Sequence, residues 1–197
     1  MNASLSFNAA LLAIALPLAS GAALAAGPEQ VFNQVQADKT RVDFVFKQMN
    51  VPIEGHFGKV RTDLVFDAAA PAKSSVRLEL DLASIDAGSS EANSEVLGKP
   101  WFNVKDNPTA TFVSTAVKPL GGDRFEVVGN LSLKGRTQPL TAPVTVIRQG
   151  DTATFDGGFT LKRLEFAIGE GMWADTSVVA NDVDVRFHAV ARSVGAK

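Results

Sequence analysis

The chain has 197 residues, 19 basic and 21 acidic side chains and a formal net charge of −2. That near-neutral balance excludes the basic footprint of a nucleic-acid binder and a polybasic membrane patch. The absence of cysteine excludes a disulfide framework, a thiol nucleophile and a lipid-modified cysteine.

Residues 1–25 read as an export signal. An apolar core, Ala9 to Ala19, is too short to span a bilayer comfortably, and small residues continue from it up to Ala23-Leu24-Ala25, an A-x-A cleavage pattern. No Lys or Arg precedes the apolar run. Residues 26–197 then form a single exported domain, most simply placed in a bacterial periplasm.

Period-2 alternation dominates this domain, as in strands with one buried face. Short or less clean runs lie near 31–36, 56–66, 110–118, 140–148 and 151–162, the last carrying Phe159. Cleaner ones are Thr40–Lys47, with Val42, Phe44 and Phe46 on one face, and Ser75–Leu82, with Val76, Leu78, Leu80 and Leu82 opposed to Arg77, Glu79 and Asp81. Arg124–Lys134 aligns Phe125, Val127, Gly129, Leu131 and Leu133, and Asp182–Ala189 aligns Val183, Val185 and Phe187. Turn sequences at Gly121-Gly122-Asp123, Lys134-Gly135-Arg136 and Gln149-Gly150-Asp151 link adjacent runs as antiparallel hairpins. The pattern predicts an all-β antiparallel barrel or sandwich of about eight strands, with one short helical insertion near 89–98. Closure into a barrel removes exposed edges and leaves room for a small ligand. Gly129 and Gly157-Gly158, inside strand patterns, mark bends or close approaches to the backbone.

Two connections break the pattern. Residues 81–114 place Trp101-Phe102 ahead of an Asn107-Pro108 break, and residues 163–181 carry Phe166, Ile168, Met172 and Trp173. Large apolar side chains in long connections suggest lids over an apolar interior, with ordinary core packing as the alternative. The aromatic set itself is 13 Phe and 2 Trp with no Tyr, a greasy payload rather than a polar one.

Catalytic machinery is missing from the pattern. The serines lack a G-x-S-x-G context, and His56 and His188 have no His or Cys at metal-ligand spacing. Glu91 and Glu95, one helical turn apart, read as a solvated face. No enzyme activity, metal or cofactor is expected.

Ser84-Ile-Asp86, Trp101-Phe102, Asn107-Pro-x-Ala-x-Phe112-x-Ser-Thr115, Val128-Gly-Asn-Leu-Ser-Leu-x-Gly135 and Arg163-x-x-Phe166-x-Ile-Gly169, in that order, resemble the YceI-like polyisoprenoid-binding family of exported proteins. Gln48-Met-Asn-Val-Pro-x-x-Gly55-x-Phe57 fits that family's early hairpin. The chain departs from the family at the end of the first hairpin strand, where a His is frequent and this chain reads Phe46-Lys-Gln-Met-Asn50, and after Phe102, where Asn103 replaces a common Asp. The resemblance implies a lipocalin-like barrel holding a long isoprenoid or other lipid for transport or storage. It also implies transient contact with a membrane or membrane protein, and pairing of two copies as a homodimer. The expected ligand-contacting set is Val42, Phe44, Phe46, Leu78, Leu80, Trp101, Phe102, Phe112, Leu131, Phe159, Arg163, Phe166 and Trp173. Arg163 has two readings, a structural pin for the 163–181 connection and a contact for a ligand head. The alternative function is an envelope stress or interaction protein whose barrel is packed solid.

Overall fold

The computed structural model describes residues 30–193, so the signal assignment at 1–25 lies outside the described residues. Strands run in chain order: β1 (Val31–Val35), β2 (Arg41–Gln48), β3 (Val51–Phe57), β4 (Val60–Asp67), β5 (Ser75–Asp81) and β6 (Ile85–Asp86). After the helix α1 (Ser90–Val96) come β7 (Thr109–Gly121), β8 (Arg124–Leu133), β9 (Arg136–Gln149), β10 (Thr152–Lys162) and β11 (Asp182–Ser193).

The 11 strands make one antiparallel sheet that closes on itself through pairing of β1 with β11. Three pairs of short strands lie end to end. β2 and β1 both hydrogen-bond to β11, at Asp184–His188 and Ala191–Ser193 respectively, and β3 and β4 pair with them in turn. β6 and β5 continue the pattern against β3 and β4. Counted by the path of the chain, the barrel is a meander of eight strands in which each neighbour in sequence is a neighbour in space. The expected run at 56–66 is thus two strands, broken at Gly58-Lys59. There the Gly58 and Lys59 amides turn aside to the Ser84 carbonyl and hydroxyl. Bends of this kind let a sheet of modest width curl shut.

The turns sort the barrel into two ends. At one lie the tight hairpin at Met49-Asn50, the hairpin at Lys134-Gly135 and both long connections. Both two-residue turns use positive φ throughout (47° and 64°, then 49° and 71°), the geometry that matches strand twist. The opposite end is plugged. Phe66 there meets Phe125 and Phe155 edge-on at 5.2 and 5.3 Å between ring centroids, and Phe32 tilts against it at 6.4 Å. Val117, Val144, Val146, Ala153 and Ala191 complete this apolar cluster.

Three glycines inside strands make room for phenylalanine rings of neighbouring strands, whereas a side chain at Gly158 would meet the Val185 carbonyl. The ring of Phe44 occupies the space a side chain at Gly55 would need, Phe112 does so at Gly129, and Phe187 at Gly157. At these positions the strands approach each other closely.

Candidate functional site

Inward-facing side chains of the open half surround a cavity of about 500 Å³. The alternation already fixes most of the wall: Val42, Phe44 and Phe46 from β2, Leu80 from β5, Leu131 from β8 and Phe159 from β10. The two long connections roof it with Trp101 and Phe102 from one side, and Arg163 and Trp173 from the other. Leu78 and Phe112, directly opposed across β5 and β7, instead line a smaller cavity of about 150 Å³ toward the plugged end. The two cavities share Val42, Leu80, Leu131, Phe159 and Val185 in their walls. Phe166 lines neither. The short 3-10 turn at Arg163–Phe166 ends in a left-handed Ala167, and Phe166 is buried in the core cluster with Leu133 and Ile168.

The aromatic side chains form a connected wall. Phe44 lies 6.3 Å from Phe46 and 5.5 Å from Phe57, and Phe57 meets Phe102 edge-on at 6.5 Å. Trp101 and Trp173 face each other at 5.4 Å, one from each lid. These are the chain's only tryptophans. The indole N–H of Trp173 donates to the Glu95 carboxylate at 3.0 Å. That of Trp101 is buried with no acceptor among the protein atoms.

Arg163 organises the second lid. Its side chain is fully buried, and all five guanidinium N–H groups donate to backbone carbonyls. Nε reaches Ala180 at 3.0 Å, one terminal nitrogen Ile168 and Gly169 at 2.8 and 3.0 Å, the other Trp173 and Val179 at 2.7 Å each. Burial pushes the guanidinium below its ordinary value, and no carboxylate among the described residues is paired with it. Of the two readings of Arg163, these contacts match the structural pin.

Lys134, at the tip of the β8–β9 hairpin, bolts the lids together. Its ammonium donates to the Pro100 carbonyl of the first lid at 3.3 Å and to the Glu170 carboxylate of the second at 2.9 Å. The same Pro100 carbonyl accepts from the Gly169 and Glu170 amides at 2.9 Å each. The hydrogen bond from Lys134, then its charge, holds the Glu170 carboxyl below the ordinary carboxylate range.

Sequence reasoning missed the polar rim. Glu91 and Glu95 are solvent-exposed, as expected, but they stand on the face of α1 that borders the cavity, together with Ala92 and Val96. The spacing i, i+4 was the available signal. The Glu91 backbone amide, then the Ser90 and Ser89 hydroxyls, hold its carboxyl below the ordinary value. Gln48 also borders the cavity, whereas Asn103 does not and binds Asp106 at 2.9 Å within its own turn. Leu82, placed inward by alternation, enters the wall just after β5, and Ile85 and Ala87 enter it from β6 and the residue after it, where alternation gives no guide. His188 contacts Asp156 at 2.7 Å on the outer face. Among the described residues no cluster of three or more His, Asp or Glu is arranged to hold a metal, and no helix is long and apolar enough to cross a membrane.

Comparison with known proteins agrees with this architecture. A UPF0312 protein of Azotobacter vinelandii is 37% identical over 126 residues, covering 61% of this chain and 64% of the relative, so the chain matches just under two-thirds of that protein's length. A UPF0312 protein of Pseudomonas aeruginosa is 32% identical over 162 residues, covering 77% and 84%. The crystal structure of Burkholderia cenocepacia BcnA superposes with a TM-score of 0.78 at 46% identity, covering 80% of this chain and 99% of that one. A polyisoprenoid binding domain from Saccharophagus degradans, implicated in plant cell wall breakdown, shares the fold at 16% identity with a TM-score of 0.65, over 84% and 99% of the two chains. Residues 34–191 match the model of the YceI-like domain, and the chain belongs to that family.

Proposed function

We propose that the protein holds a long apolar chain, a polyisoprenoid, in the barrel lumen and stores or carries it in the periplasm, with no covalent chemistry and no metal. The observation that carries this reading is the cavity of about 500 Å³, walled by Phe and Leu, roofed at one end by two lids and adjoined at the other by the smaller cavity that the Phe66 cluster closes. Its volume falls in the range of about 300–1,000 Å³ common for small-molecule sites. The polyisoprenoid binding described for the Saccharophagus degradans domain supports the choice of ligand class. The A-x-A pattern at Ala23-Leu24-Ala25 supports export.

The energetics suit a carrier. Burying one CH₂ from water gains about 0.8 kcal/mol, so ten buried carbons give roughly 8 kcal/mol before association costs. An isoprenoid already dissolved in a bilayer gains little more by entering the barrel. Transfer between membrane and protein is then close to neutral, which allows loading and release. A barrel packed solid, with its function on the outer surface, is disfavoured by the cavity itself.

The two tryptophans give a direct assay. Both line the cavity and the chain has no tyrosine, so intrinsic emission reports on the lumen alone. Titration with a polyprenol in detergent below its critical concentration should shift or quench that emission saturably. An emission spectrum unmoved by polyprenol, in folded protein, would refute lumen binding.

A further inference from the structure

The charges around the cavity are arranged against an anionic head. Three basic residues border one cavity or the other, Arg163 the larger and Arg41 and His188 the smaller, and each side chain is already engaged. Arg163 spends all five donors on backbone carbonyls. Arg41 pairs with Asp43 at 3.1 Å, and His188 contacts Asp156 at 2.7 Å. Lys134, near the lids, is satisfied by two carbonyls and Glu170. Arg136 donates to the Glu165 carbonyl at 3.3 Å.

The acids bordering the larger cavity, by contrast, lack a cationic partner. Neither Glu91 nor Glu95 takes part in an ion pair among the described residues. Glu95 accepts only the neutral indole N–H of Trp173. The other polar groups at this border, Gln48 and Ser89, are uncharged. One buried donor in the wall is unspent, the indole N–H of Trp101, and a neutral acceptor suffices to satisfy it.

We infer that the lumen selects apolar chains whose head is uncharged, such as a prenyl alcohol or quinone, and discriminates against chains ending in phosphate. The inference rests on the lumen-binding reading and narrows its substrate class. A phosphate at the roof would meet two like charges, and Arg163, the one basic residue lining the larger cavity, has no donor left for it, whereas proteins ordinarily recognise phosphate through cations and forked donors. A hydroxyl or quinone carbonyl loses far less hydration on entry and needs at most one donor.

The test compares geranylgeraniol with geranylgeranyl monophosphate, two ligands with the same chain, by tryptophan emission and native mass spectrometry. The alcohol should bind at least tenfold more tightly than the phosphate at low salt. Raising the salt should narrow that ratio by screening the rim carboxylates. The double substitution Glu91→Gln/Glu95→Gln should narrow it several-fold as well, by improving phosphate binding more than alcohol binding. Equal or tighter binding of the phosphate to the native protein overturns the head-group inference while leaving lumen binding intact. Failure of both ligands to bind overturns the lumen reading, and the selectivity with it.

Discussion

The guanidinium carbon of Arg163 lies 5.8 Å from the ring centroid of Trp101, so the cation buried in one lid rests on the aromatic roof of the other. With its five carbonyl contacts, this places Arg163 at the joint between the two connections rather than at the disposal of a ligand. Removing the side chain leaves several buried carbonyls without a donor, each costing on the order of 1 kcal/mol or more. Arg163→Met should therefore destabilise the protein by roughly 3–5 kcal/mol. Chemical denaturation measures this directly. A variant of native stability that nonetheless lost its ligand would assign Arg163 to a ligand head instead.

Gly55 carries a different constraint. A Cβ there would run into the Phe44 ring and the Asp86 carbonyl. Gly55→Ala should force Phe44 out of its position in the cavity wall, at a cost of about 1–3 kcal/mol typical of overpacking. Reduced stability together with altered ligand uptake is expected. A neutral effect on both would mean that the ring is free to move.

These two relationships also mark the boundary of what the sequence discloses. Alternation in Thr40–Lys47, Ser75–Leu82 and Arg124–Lys134 exposes the strands and their inward faces, because one buried face imposes period 2 on any sheet. Closure cannot be read from alternation. It depends on β1 and β2 sharing one partner strand, a long-range pairing that no local pattern encodes. The wall residues on regular strands were legible for the same reason, whereas Phe166 was not. Its apolar character suits lid and core equally, and only the left-handed turn at Ala167 decides between them. Glu91 and Glu95 looked like any solvated helical pair, since their position over the cavity is set by how α1 docks.

Leu131 borders both cavities, so it tests the lumen most sharply. Leu131→Arg should abolish polyisoprenoid uptake in a protein that remains folded by circular dichroism. Arg77 faces outward, opposite Val113 and beside Glu79 at 3.4 Å. Arg77→Ala should leave uptake within error. A marked loss there would mean that the inner and outer faces are reversed.

Acid should loosen the roof. Asp86, Glu91, Glu170 and Asp175 all titrate below their ordinary values. The leading causes are the Gly88 amide for Asp86, the residue's own amide for Glu91, Lys134 for Glu170 and the Ser177 hydroxyl for Asp175. As pH falls, the unfolded chain takes up these protons before the folded one does. The stabilisation is therefore complete above the ordinary carboxylate range, about pH 4–4.5, and is lost as pH drops through the folded values. Thermal melts should be flat from neutrality to about pH 5 with respect to these groups and decline below it. Glu170→Gln should remove part of that decline, because it deletes the carboxylate that Lys134 holds. An acid limb identical to that of the native protein would place the sensitivity elsewhere.

The most direct test of the central claim is native mass spectrometry, paired with organic extraction, on protein purified from its own host. A near-stoichiometric isoprenoid, recovered in the extract and absent from the Leu131→Arg variant, is the predicted result. Protein that arrives empty, and remains empty after incubation with added polyprenol, would contradict the account.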